Sequence, residues 1–213
     1  MKKENLLLYA VTDRRWANKQ SLKEQIELSL KGGVTFLQLR EKNLSEEEFL
    51  KEAREIKALA KEYKVPFIIN DNVDVAMKVD ADGVHVGQDD KDAKEVRKII
   101  GKNKILGVSA QTIKQAIKAE KDGADYIGVG AVFPTGTKKD AENLSIEILK
   151  KICQSVTIPV VAIGGITKEN ILKLKGSKIA GVALVSAIFA SKDIKQDCQK
   201  LKELSIKVVS KWK

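Results

Sequence analysis

At 213 residues, 43% hydrophobic and 5% aromatic, with a formal charge of +10, the chain is long enough to bury one sizeable core, and a single domain over 1–213 is expected. It has no apolar run of about eighteen residues, and the apolar core of its start, MKKENLLLYAVTDRR, is too short and too charged at its flanks for a signal peptide; a cytoplasmic protein with no membrane partner is expected. The charge admits nucleic acid as a partner, but the lysines of KEAREIKALAKEYK and CQKLKELSIKVVSKWK alternate with an apolar stripe as on solvated helix faces, and base-stacking aromatics are scarce, so no nucleic acid is expected.

Short apolar runs alternate with amphipathic segments from end to end, and no linker rich in Pro, Gly or Ser interrupts them. Strands are expected at Leu6 to Val11, Val34 to Leu39, Phe67 to Ile69, Gly83 to Val86, Ile105 to Val108, Tyr126 to Val129, Val160 to Ile163 and Gly181 to Val185. Helices are expected near Ser21 to Leu30, Ser45 to Tyr63, Asp74 to Met77, Asp92 to Ile100, Thr112 to Lys121, Ser145 to Ile152, Lys168 to Leu174 and Ile194 to Val209. Strand then helix, eight times, predicts an α/β fold, the eight-stranded parallel (β/α) TIM barrel. A weak repeat on the even strands, GVTFLQLR, ADGVHVGQ, ADYIGVGAVFP and IAGVALVSAI, agrees with it. An open doubly wound sheet would also alternate, but its first turn usually carries a glycine fingerprint, and here that turn is Thr12-Asp13-Arg14-Arg15. Ser45 with Glu48 reads as a capping box, and Thr167 as a cap behind the Gly164-Gly165 turn. Cys153 and Cys198 lack metal-ligand spacing and read as reduced structural residues.

In such a barrel the chemistry lies at the carboxyl ends of the strands. After strand 2, QLREK sets Gln38, Arg40 and Lys42 two apart, hence on one face, about 6 to 7 Å per step, a spacing that suits an extended anion such as a diphosphate. A salt-bridged strand end is the plainer reading. Asp71 after strand 3 and Asp90 after strand 4 could share one hard cation, Mg2+ by preference, although aspartates there also serve as Asx turns and helix caps. His85, the single histidine, lies inside a strand and reads as a hydrogen-bonded structural residue, with a general base as the alternative. Ser109, Gln111 and Thr112 either meet a substrate or cap the next helix. After strand 6, Thr135, Gly136, Thr137 and Lys138 offer anion donors; after strands 7 and 8, Gly164-Gly165 and Val185-Ser186, which opens a short helix, read as a phosphate pocket. Two anion sites, one of them metal-assisted, imply two substrates.

The segments LYAVTDR, QLREK, IINDN, GVHVGQDD, GVSAQT, VFPTGTKKDA, AIGGI and VSAI, in that order, resemble the thiamine phosphate synthase family over essentially the whole chain. The resemblance implies a transferase that joins hydroxymethylpyrimidine diphosphate to a thiazole phosphate, or its carboxylated form, yielding thiamine phosphate and diphosphate with Mg2+. It implies that Gln38, Leu39, Arg40, Glu41, Lys42, Asn70, Ser109 and Lys138 hold the pyrimidine diphosphate, with Arg40, Lys42 and Lys138 catalytic, and that Asp71 and Asp90 hold the metal. Thr135, Gly136, Thr137, Gly165, Val185 and Ser186 would hold the thiazole phosphate. The partners it implies are two phosphorylated heterocycles, with a homo-oligomer allowed for. A thiazole tautomerase-like barrel, a phosphosugar isomerase and a non-catalytic anion-binding protein are the alternatives.

Overall fold

The computed structural model describes residues 1–17, 20–136 and 144–209. Eight strands, β1 Leu8–Val11, β2 Phe36–Leu39, β3 Phe67–Asn70, β4 Gly83–Val86, β5 Ile105–Ala110, β6 Tyr126–Val129, β7 Val160–Ile163 and β8 Gly181–Leu184, pair in sequence order, all parallel. β8 returns to β1 through Leu8↔Val182, Tyr9↔Ala183 and Ala10↔Leu184, which closes the barrel. Parallel neighbours need a crossover between them, and helices supply it from β1 to β7: α1 Leu22–Lys31, α2 Glu46–Glu62, α3 Val73–Lys78, α4 Ala93–Ile100, α5 Ile113–Lys121 and α6 Ile146–Ser155; a 3-10 turn lies between β7 and β8, and α7 Ser186–Phe189 and α8 Ile194–Val208 follow β8. No helix among the described residues is long and apolar enough to cross a membrane.

The strand period of two sorts the core into two layers. Leu8, Ala10, Leu37, Leu39, Ile69, Val84 and their like face outward and pack under the helices, while Tyr9, Val11, Phe36, Ile68, Tyr126, Val161 and Ala183 fill the barrel. The outward layer takes the apolar stripe of each helix, such as Phe49, Ala53, Ile56 and Ala60 of α2, and leaves its lysines in water. Helix starts are set by side chains. Ser21 with Glu24, Ser45 with Glu48 and Thr112 with Gln115 each form a complete capping box.

Several ends shift by one to three residues, β2 starting at Phe36 and α6 running to Ser155 among them, and two segments change element type. Leu6 belongs to a 3-10 helix, Lys3–Leu6, rather than to the first strand, and its fully buried side chain joins the barrel interior. The helix expected from Lys168 shrinks to a 3-10 turn, Ile171–Leu174. There the Thr167 hydroxyl accepts from Glu169 N at 3.3 Å, while Asn170 Oδ1 accepts from Thr167 N at 2.8 Å, so local side chains satisfy the backbone groups that a helix would have used. The Asn170 amide also donates to Gly165 O at 2.8 Å and ties this turn to the glycine pair.

Candidate active site

A cavity of about 410 Å³ opens at the carboxyl ends of the strands. Gln38, at the end of β2, points into the barrel as Phe36 does, and Arg40 and Lys42 continue on the same side into the cavity wall. Glu41 and Leu39 point the other way: Leu39 is fully buried in the outward layer, and Glu41 accepts from Arg14 Nε at 3.1 Å, its Oε1 buried without a partner. Burial, with the neighbouring Glu52, holds the Glu41 carboxyl above its usual range against the pull of Arg14. Arg40 is braced from behind. Its backbone N–H donates to the buried Thr12 hydroxyl at 2.9 Å, and its guanidinium stands 3.7 Å from the buried Asp13 carboxylate. Burial of Asp13 opposes its charge, but the bonds and charge of Arg15, with Arg40 behind them, outweigh that and keep its pKa below the usual value.

Across the β3 and β4 loops the capping work falls to other residues. Asn72 caps α3 by accepting from Val75 N at 2.9 Å, and Asp92 caps α4 by accepting from Lys94 N at 3.0 Å. Asp71 and Asp90 are thus left to the cavity, where both lie in the wall with Asn70. Asp90 Oδ2 accepts from Gly87 N at 2.7 Å, and Asp71, held at φ 60°, receives Lys42 Nζ at 3.6 Å. Burial first, and the facing Asp90 second, raise the Asp71 pKa to about 6 against the pull of Lys42 and Arg40. Two convergent carboxylates, one of them held back from ionising by its surroundings, are the donor chemistry a hard divalent cation takes. Among the described residues no three His, Cys, Asp or Glu side chains converge, so this donor set is an open one, not a protein-only cage.

Ser109, on β5, also lines the cavity, and its Oγ lies 3.0 Å from His85 Nε2, while Thr112 caps α5. His85 is neutral: burial lowers its pKa to about 4, with Asp90 opposing weakly. On the far side, Thr135, Gly164, Gly165, Val185 and Ser186 form the wall. Gly164 at φ 97° and Gly165 at φ 63° need the left-handed conformation, and a Cβ on either would strike the β6 loop, Ala131 in one case and the carbonyls of Phe133 and Pro134 in the other. α7 opens at Val185 without a side-chain cap.

The family profile, the sequence relatives and one solved structure point to the same assignment. The profile described as thiamine monophosphate synthase matches residues 8–188. The thiamine-phosphate synthase of Clostridium tetani is 54% identical over 91% of this chain and 93% of its own, and that of Ruminiclostridium cellulolyticum is 53% identical over 93% and 95%. The chain belongs to the thiamine monophosphate synthase family. A solved structure, the thiamine phosphate pyrophosphorylase of Pyrococcus furiosus, superposes with a TM-score of 0.90 at 38% identity, covering 98% of this chain and 99% of that one. Thiamine monophosphate synthases are transferases that couple a pyrimidine diphosphate with a thiazole phosphate. The alternative barrels and the non-catalytic reading gain no support from these relatives.

Of the residues the family resemblance singles out, Gln38, Arg40, Lys42, Asn70, Asp71, Asp90 and Ser109 share the wall of one half of the cavity, with Thr135, Gly165, Val185 and Ser186 in the other. Leu39 and Glu41 are turned away, and Gly136 is exposed. Thr137 and Lys138 lie outside the described residues. Sequence reasoning missed Thr12 and Asp13, which brace Arg40 from the adjacent strand, and Tyr9 and Tyr126, which reach His85 and Gln38 from below. The available signal was Thr12-Asp13, a hydroxyl and a carboxylate in the turn after the first strand.

Proposed function

We propose that this chain, one catalytic domain over 1–213, converts hydroxymethylpyrimidine diphosphate and thiazole phosphate to thiamine phosphate and diphosphate by ionisation of the diphosphate and capture of the pyrimidine cation by the thiazole nitrogen. The observation that carries the reading is the division of one cavity into a half with Arg40, Lys42 and two aspartates and a half built on a glycine pair. Gln38, Asn70 and Ser109 orient the pyrimidine. Arg40 and Lys42, with Lys138, meet charge that grows on the departing oxygens, and Thr12 and Asp13 keep Arg40 aimed there. Gly165, Thr135 and Ser186, with Gly136, Thr137 and Val185, hold the thiazole phosphate through backbone and hydroxyl donors, so the rings meet in line. Asp71 and Asp90 would hold Mg2+, with water and substrate phosphate filling the remaining positions; the metal, when bound, neutralises leaving-group charge. Leu39 and Glu41, which flank Arg40, shape the strand end and do not touch substrate in this reading. No side-chain nucleophile is required.

The proposal includes a cytoplasmic enzyme whose partners are small molecules, not nucleic acid or membrane, and it accommodates a homo-oligomer. The test is diphosphate release from purified protein given both heterocycles and Mg2+, with each component omitted in turn. Release that depends on all three supports the reading. Release without the thiazole phosphate would mark a hydrolase, and no release would overturn the assignment.

A further inference from the structure

At the cavity floor, where Gln38, His85 and Ser109 line the cavity and Tyr9 and Tyr126 lie beneath, five side chains from five strands form an unbroken hydrogen-bonded path from one wall of the barrel to the other. Gln38 Nε2 donates to Tyr9 Oη at 2.7 Å, Tyr9 Oη lies 2.9 Å from Tyr126 Oη, Tyr126 Oη lies 2.8 Å from His85 Nδ1, and His85 Nε2 lies 3.0 Å from Ser109 Oγ. Tyr9 and Tyr126 are buried, and Phe36 wedges both rings from the side, with centroids 4.8 and 5.8 Å away at 86° and 78°. The space is reserved for this path. A Cβ on Gly107 would strike the Tyr126 hydroxyl and His85 Nδ1 together, at the link between them.

Each phenol has one proton, and neutral imidazole has one donor and one acceptor nitrogen. With the Gln38 amide N–H on Tyr9, Tyr9 gives its proton to Tyr126, and Tyr126 gives its own to His85 Nδ1. The histidine proton then sits on Nε2 and points at Ser109 Oγ. Any reversal inside the path would leave a buried hydroxyl without an acceptor, which is costly. The consequence appears at the ends, since Gln38 and Ser109 both line the cavity. Gln38 keeps its carbonyl oxygen for a ligand, and Ser109 keeps its hydroxyl proton.

We propose that Tyr9, Tyr126 and His85 are positioning residues that order the protons between Gln38 and Ser109, presenting an acceptor on the β2 wall and a donor on the β5 wall and thereby selecting a ring with a donor group on one side and an acceptor on the other. An aminopyrimidine has that pattern, with an exocyclic amine and ring nitrogens. An oxo analogue, with an acceptor where the amine stood, does not. The ring assignment rests on the proposed function; the proton order does not.

The chain has a single histidine, so 15N-histidine labelling reports the imidazole without ambiguity. In ligand-free wild-type protein the ring-nitrogen shifts should show the neutral form protonated on Nε2; protonation on Nδ1 would overturn the order. Tyr126→Phe keeps the ring and removes the hydroxyl. It should abolish the tautomer preference, raise the KM for the pyrimidine diphosphate by about tenfold or more and leave the KM for the thiazole phosphate unchanged. The same variant should also narrow the preference for the amino over the oxo pyrimidine. Unchanged kinetics in a folded Tyr126→Phe protein, or equal losses for both substrates, would overturn the positioning role. If Tyr126→Phe does not fold, Tyr9→Phe cuts the path one link earlier and is judged by the same criteria. Because the tautomer is read without substrate, it decides the proton order even if the proposed reaction fails.

Discussion

Lys42 Nζ stands 3.6 Å from Asp71 Oδ2, so a cation following β2 and a carboxylate following β3 meet at the rim of one cavity. The lysine is more than half exposed, so it neutralises the aspartate only partly, and Asp90 faces the same carboxylate from the next strand. A divalent cation relieves that repulsion, and anything that binds only the native state raises its stability. Mg2+ with inorganic diphosphate should therefore raise the unfolding midpoint of the wild type by several degrees, on the order of 1–3 kcal/mol at saturating ligand. Asp71→Asn and Asp90→Asn should lose the magnesium-dependent increment and fold normally. An increment that survives in both variants would place the metal elsewhere.

The glycine pair makes a second, separable prediction. Gly165 has φ 63°, and a Cβ there would press on the carbonyls of Phe133 and Pro134, so Gly165→Ala should cost about 1–3 kcal/mol of stability. It should also raise the KM for the thiazole phosphate at least about tenfold, with little effect on that of the pyrimidine diphosphate. Steady-state kinetics with each substrate varied in turn decide it. Parallel losses would mean that the two halves of the cavity do not act separately.

How far this site is legible in the sequence depends on the range of the interaction. QLREK discloses its shared face because alternation is a local rule, and the register Val11↔Gln38 then carries Arg40 to the rim. The Ser45–Glu48 capping box is legible for the same reason. The Lys168 to Leu174 segment misleads because the competing bonds, Asn170 to Thr167 and Gly165, are side-chain choices that helical periodicity does not register. Tyr9 and Tyr126 are 117 residues apart, and nothing near either tyrosine announces that their hydroxyls meet. Barrel closure brings them together, so the path at the cavity floor becomes visible only in three dimensions.

His85 gives a pH prediction with a definite sign. Burial lowers its pKa to about 4 in the folded chain, whereas the unfolded imidazole titrates near 6.5. Between those values the unfolded state binds the extra proton, so this contribution is fully present above about pH 6.5 and is lost as pH falls through about 4, amounting to at most about 3 kcal/mol. Asp71, raised to about 6, acts in the opposite sense: its contribution is present below about pH 4 and lost as pH rises through about 6. The difference between wild type and His85→Asn isolates the histidine. Chemical denaturation from pH 7 to 4.5 should show a steeper acid loss in the wild type, and an imidazole that titrates near 6.5 by NMR would contradict the burial argument.

Arg40 offers the sharpest test of the chemistry. Its guanidinium is about three-quarters buried, its backbone is tied to Thr12 at 2.9 Å and its charge is set 3.7 Å from Asp13, so it is preorganised instead of moving to meet the substrate. A preorganised donor stabilises charge that is largest as the C–O bond breaks, so its loss should reduce kcat more than it raises KM. Arg40→Ala should lower the single-turnover rate at saturating substrate by about a hundred- to a thousandfold, or about 3–4 kcal/mol. Arg40→Lys should recover only part of this, because a point charge on a flexible stem cannot reproduce a fork aimed by Asp13. Thr12→Val, which leaves the guanidinium in place but cuts its backbone tether, should give an intermediate loss in kcat with little change in KM. If Arg40→Ala instead raises only the KM for the diphosphate, Arg40 is a binding residue, and the barrier is lowered by Lys42, Lys138 and the cation at Asp71 and Asp90.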